Sequence, residues 1–157
     1  MRTTLRILVA LVLALAPAGL SPAIEEPLDG FTIGHVPRGA GTSVSEFAYE
    51  PDEGIRCASR VWERATGDGG HSVDLTVVVL RGASLTSLGR LRSFMARHHE
   101  RAPDSWSEVM VGARPGLRAD GHVFWLMEPG VAVSVTIDTG RFGPGELTAV
   151  AEGVRPA

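Results

Sequence analysis

Ser72-Val73-Asp74-Leu75-Thr76-Val77-Val78-Val79-Leu80-Arg81 is the stretch on which the fold turns. In an extended chain Val73, Leu75, Val77 and Val79 share one face, and Ser72, Asp74 and Thr76 share the other. Val78 and Leu80 make the second half apolar on both sides, the pattern of an interior strand covered by a helix. That helix is expected next. Ser84 is a suitable N-cap, and residues 85–101 run without proline until Pro103. On a helical wheel with Arg90 at the origin, Leu91, Met95 and Leu88 fall at about 100°, 140° and 160°. Arg97 and Arg101 fall within about 20° of Arg90, on the opposite side.

Upstream, Ile55, Cys57, Ser59 and Val61 alternate with Arg56, Ala58, Arg60, Trp62 and Arg64, a strand that returns through the flexible turn Gly67-Asp68-Gly69-Gly70. Thr42 to Glu50 is another strand, ending at Pro51, and Phe31 to Val36 is a short first one. Downstream, Trp106 to Val111 is a strand turned by Arg114-Pro115-Gly116, and Asp120-Gly121 opens a hairpin of His122–Glu128 and Val131–Asp138. The Pro129-Gly130 pair between them suits a type II turn, because glycine alone accepts positive φ there cheaply. Ala132, Ser134, Thr136 and Asp138 give the last strand one wet face. Pro144 begins a short helix with Leu147, Val150, Ala151 and Val154 on one side, ending near Gly153. The resulting expectation is an α+β domain: a curved antiparallel sheet of about seven strands, packed on one face by one long central helix and a short C-terminal helix.

The chain has 157 residues. Its start is basic (Met1 to Arg6), then apolar (Ile7 to Ala16), then small, with Ala16-Pro17-Ala18 and Ser21-Pro22-Ala23 at cleavable spacing. That order reads as a secretory signal peptide over residues 1–23. Ten apolar residues make about 15 Å of helix, half a bilayer core, so no stable membrane span is expected after cleavage. Residues 24–30 read as a short tether and 31–157 as one domain. What remains after cleavage keeps all 18 acidic residues and 13 of the 15 arginines, a net charge near −5. Such a chain lacks the positive surplus a nucleic-acid binder needs to displace counterions. It contains no Lys, Asn or Gln, a bias that reads as a high-GC genome. Cys57 is the sole cysteine, so no disulfide framework is expected, and it reads as a small buried strand residue.

The two ends carry a resemblance. Phe31-Thr32-Ile33-Gly34-His35-Val36-Pro37-Arg38-Gly39 resembles the opening aromatic strand and Pro-x-Gly of a bacterial extracytoplasmic domain of unknown function. Arg114-Pro115-Gly116, Phe124-Trp125-Leu126, the Gly130 hairpin and Glu146 to Gly153 are similar to that domain's tail. It occurs on anti-sigma-factor and lipoprotein-carrier-like proteins, and the present chain looks like an exported relative of actinobacterial type. The resemblance implies a curved antiparallel sheet used for binding or sensing, with no catalytic residues to carry over.

Catalytic chemistry is thinly represented. His98-His99-Glu100 project about 100° apart on a helix and do not converge as metal ligands; packing of the two rings at a helix–sheet edge is the simpler reading. No G-x-S-x-G elbow or lysine-bearing phosphate loop occurs. Glu128 and Asp138 read as solvated turn charges, and Trp106 and Trp125 as core. No cofactor is implied. Two surfaces remain as candidates for binding. Arg60-x-Trp62-x-Arg64 places two cations beside an aromatic on one strand face, a geometry for cation–π stacking or a partner. Arg90, Arg97 and Arg101 form a basic helix stripe that could meet an anionic group. The expectation is therefore a secreted, non-enzymatic binding domain for an envelope protein or apolar ligand. The alternative is a small exported hydrolase built from separate strands, which requires two of His35, His71, His98, His99 and His122 to approach a carboxylate in one cleft.

Overall fold

The computed structural model describes residues 26–52 and 54–157; the signal-peptide stretch 1–23 and the first two tether residues lie outside them. The described residues form nine strands: β1 (Phe31–Ile33), β2 (Ser43–Asp52), β3 (Ile55–Ala65), β4 (His71–Arg81), β5 (Ser107–Val111), β6 (Arg114–Ala119), β7 (His122–Glu128), β8 (Val131–Ile137) and β9 (Val154–Pro156). Helix α1 (Leu88–His98) follows β4, and α2 (Pro144–Gly153) follows β8. Seven strands make one antiparallel sheet in the order β2-β3-β4-β8-β7-β6-β5, while β1 pairs only with β9.

The sheet has the expected number of strands but a different membership. Phe31–Ile33 stays outside it, and Arg114-Pro115-Gly116, expected as a turn, begins strand β6. The reversal before β6 uses Gly112, at φ +57°. Pro115 is tolerated because pairing of β6 with β7 begins only at Gly116, so that ladder needs no N–H from the proline. Gly116 is needed there, since a Cβ would lie 2.9 Å from the Phe124 carbonyl oxygen. At the β7–β8 turn Gly130 has φ +87°, as the type II reading requires.

Strand alternation sorts the core into two layers. Leu75, Val77, Val79, Val133, Val135 and Trp125 pack under Leu147, Val150 and Ala151 of α2. Leu80, Phe124, Ala132, Leu117, Ile55 and Cys57 pack under Leu91, Phe94 and Met95 of α1. The helices therefore lie on opposite faces of the sheet, not on one. β4 is interior and apolar on both sides because each face carries its own helix. The α2 face is further sealed by residues 28–42 and the β1–β9 pair: Leu28, expected in a free tether, is buried in that layer beside Phe31.

The central helix is short, eleven residues against the seventeen expected. Its N-cap is Ser87, whose Oγ accepts from the Arg90 N–H at 3.2 Å. Ser84 and Leu85 instead belong to a loop pinned to the β7–β8 turn, with Gly130 N–H donating to Leu85 O at 2.8 Å and Gly82 N–H to Gly130 O at 3.0 Å. At the other end Glu100 adopts φ +50°. Glu100 N–H then reaches Arg97 O and Arg101 N–H reaches Ala96 O, a Schellman closure that stops the helix. Among the described residues no helix is long and apolar enough to cross a membrane.

Candidate functional site

Of the six arginine and tryptophan positions expected at a binding surface, the β3 group is turned inward. Trp62 is 3 % exposed and Arg60 4 %. Trp62 belongs to the α2-face core, and Arg60 donates from Nε to Glu46 Oε1 at 2.7 Å and from Nη2 to the Glu26 carbonyl at 2.6 Å. Alternation gives the face of such a residue but not what covers it; here the Glu26 carbonyl, before β1, covers Arg60, and Trp62 lies in the same core layer as Leu28 and Phe31. Arg64 donates from Nε to Asp74 Oδ1 at 3.0 Å. Arg141 Nη1 donates to the other oxygen of that carboxylate, and Gly41 N–H reaches the same oxygen at 2.9 Å.

Asp74 is fully buried. It is the extra residue of a β-bulge, since Trp62 pairs with Leu75 and Glu63 with Val73. Burial alone would raise its carboxyl pKa; the hydrogen bonds from Arg141, Gly41 and Arg64 outweigh that and hold it below the usual value. This cluster ties β3, β4, the Gly39–Gly41 loop and the segment before α2 together, so it is a structural clamp.

The helix stripe is at the surface but does not act as one patch. Arg97 lies 3.6 Å from Asp52. Arg101 bonds Asp120 at 3.1 Å and sits over the Trp106 ring at 5.5 Å. Arg90 is exposed.

The informative surface is the other half of the α1 face. α1 rests on β6 and β7 and reaches Ile55, Cys57 and Leu80 at one end of β3 and β4, which leaves that face of β2 and of the rest of β3 and β4 without a helix above it. Phe47 and Tyr49 of β2 stand on it, 54 % and 41 % exposed, beside half-buried Val61 and Val78. Where this shelf meets α1 there is a cleft of about 210 Å³. Cys57, Thr76, Val78, Leu80, Ser134 and Thr136 make its floor; Phe94, Met95, His98 and His99 make its wall, with Tyr49 at the outer side. The lining contains no Asp, Glu or Arg. Ala132 and Ser134, expected on a wet face, are buried here beneath α1.

A ladder of rings backs the cleft. His98 stacks on Phe94 at 5.6 Å, His99 meets His98 edge-on at 4.9 Å, and His122 meets His99 at 4.8 Å. His122 shares a 2.7 Å hydrogen bond between its Nε2 and Ser134 Oγ. Burial, followed by the neighbouring His99, Arg101 and His98, pushes His122 down to about 3, so its ring is neutral. Burial likewise lowers His99. The Cys57 thiol is raised to about 11 by burial, and Tyr49, opposite it across β2 and β3, to about 12 for the same reason. A thiol held there is protonated at neutral pH and is no nucleophile. The edge packing read from the sequence for His98 and His99 is what the structure has; their partner His122, some two dozen positions along the chain and in register with β8, carried no local signal.

His35 meets Glu146 at 2.6 Å on the α2 side of the sheet, and no second histidine joins that pair among the described residues. Among them, too, no group of three or more His, Cys, Asp and Glu side chains is placed to hold a metal ion. No family model, curated protein or solved structure matches the chain. The resemblance of its two ends to the extracytoplasmic domain therefore rests on the quoted residues alone.

Proposed function

We propose that this chain is an exported binding domain that takes an uncharged apolar group, such as an acyl or aromatic moiety, across the open half of the α1 face with one end in the cleft. The observation that carries the reading is the cleft's lining: an apolar floor and wall, edged by the hydroxyls of Thr76, Ser134 and Thr136 and by imidazoles, with no charged partner for an ionic ligand. Its volume has room for roughly seven water-sized groups, enough for part of a ligand whose remainder lies along Val78, Val61, Phe47 and Tyr49. The apolar ligand expected from the sequence fits this surface better than an anionic polymer at the arginine stripe.

The test is fluorescence titration with a neutral naphthylamine probe. Thr136→Trp places an indole at the exposed mouth without touching the core. The wild type should bind the probe, and the variant should bind at least about tenfold more weakly at an unchanged melting temperature. Equal binding by both, or none by the wild type, overturns the reading.

A further inference from the structure

We propose that the chain self-associates through β2, two copies pairing antiparallel about a twofold axis at Phe47, so that their open half-faces join into one groove. This does not depend on what the groove holds.

The outer edge of the sheet at β2 is unprotected. β2 is ten residues long and, among the described residues, pairs only with β3, leaving its outer backbone groups available for another strand. Val44, Phe47 and Tyr49, three of the five large apolar side chains exposed among the described residues, lie on this one strand. Soluble sheets guard such edges with outward charges or an interior proline. Here Pro51 comes after the regular run, which holds from Ser43 to Tyr49. The strand's three carboxylates are turned back onto their own chain: Glu46 Oε1 accepts from Arg60 Nε at 2.7 Å, Glu50 Oε1 from Gly54 N–H at 2.9 Å, and Asp52 lies 3.6 Å from Arg97. The opposite edge, β5, has five residues.

Charge then selects both partner and register. Antiparallel self-pairing must centre on one residue, because neighbouring residues point their N–H groups to opposite sides of the strand. Centring on Glu46 sets two carboxylates directly opposite, and centring on Ala48 sets Glu46 against Glu50; like charges so placed are destabilising. Centring on Phe47 places Glu46 against Ala48 and Ser45 against Tyr49, and brings the most exposed aromatic on the strand onto its own mate. Phe47 and Tyr49 share the α1 face with Cys57. The join would therefore align β4-β3-β2 of each copy into a six-stranded floor, about 24 Å wide and walled by two α1 helices.

Sedimentation equilibrium of the purified protein, from low micromolar to submillimolar concentration and with no ligand added, tests association. A concentration-dependent dimer is expected, and Phe47→Lys should weaken it on the order of tenfold while leaving the melting temperature in place. Residues directly opposed across an antiparallel pair lie about 4.5–5.5 Å apart at Cα, within disulfide reach. Phe47→Cys should therefore cross-link on oxidation, and Val44→Cys, which faces Glu50 of the other copy, should not. A monomer throughout the range, a β2 that accepts only an added peptide of another sequence, or equal cross-linking at both positions overturns the proposal. Probe binding by a protein that stays monomeric would sink this inference while leaving the ligand reading intact.

Discussion

Asp74→Ala should be among the most damaging single substitutions in this domain. The wild-type carboxylate has no exposed surface and accepts from Arg64, Arg141 and the Gly41 N–H. Breaking a buried ion cluster by deleting one partner costs about 3–5 kcal/mol, because charges are left without a counterion. Arg64 and Arg141 are each about one-third exposed at the side chain, so water takes over part of their solvation. That lowers the expectation to about 2–4 kcal/mol. With an unfolding entropy of about 2.1 cal/mol/K per residue, a domain of this size should melt about 7–15 °C lower. Circular dichroism melts at neutral pH measure it. The pH dependence supplies a second check with a definite sign. The folded carboxyl is held below its unfolded value, so the unfolded state binds more protons and the contribution is complete above about pH 4. It fades as pH falls through the folded value, and Asp74→Asn should flatten that acid limb. A loss of under about 3 °C in Asp74→Ala would refute the clamp.

Three other substitutions probe separate parts of the argument. His122, held near 3 by burial, stays neutral while the unfolded chain takes up a proton below about 6.5. Urea unfolding should therefore show the wild type losing about 2 kcal/mol more than His122→Gln between pH 6.5 and pH 5. Glu100→Gly relieves a left-handed backbone at the end of α1 and should stabilise the fold by about 0.5–1 kcal/mol in the same assay. Gly41→Ala would set a Cβ onto the Glu63 carbonyl, a backbone clash beside Asp74. It should cost more than about 3 kcal/mol or abolish soluble expression.

What the sequence disclosed was whatever depends on local periodicity. The alternation in Val73 to Leu80 places β4 inside the sheet, Pro129-Gly130 its turn, Pro144 the start of α2, and the apolar neighbours of Cys57 its burial. What it concealed depends on distant partners. No periodicity marks Glu100 as the end of α1, because a non-glycine residue at positive φ is held there by tertiary packing and its own closure. Pro115-Gly116 has the composition of a turn, yet forms a strand because Pro115 pairs only with β5 and the β7 ladder begins after it. Asp74 sits in sequence with Ser72 and Thr76 as if on a wet face; the bulge that re-aims it exists only once β3 has paired. The same limit misplaced Arg60, which bonds the Glu26 carbonyl, and Trp62, which joins the layer beneath α2.

The half-open face follows from the length of α1. Eleven residues make about 17 Å of helix, some 10–12 Å across, while seven strands at about 4.8 Å spacing make a sheet about 29 Å wide. Laid along or across the strands, such a helix covers about half of them. On the α2 face the remainder is filled by residues 28–42 and the β1–β9 pair; on the α1 face nothing in the described chain does this. A seventeen-residue helix would have been about 26 Å long and would have reached over much of the shelf. The Schellman closure at Glu100 prevents it. The open face carries Thr76 and Thr136 interspersed among Val61, Val78, Phe47 and Tyr49, so that the surface tolerates water yet still gains by losing it. A short helix above a sheet too wide for it is thus sufficient to leave the cleft on which the proposed ligand reading rests.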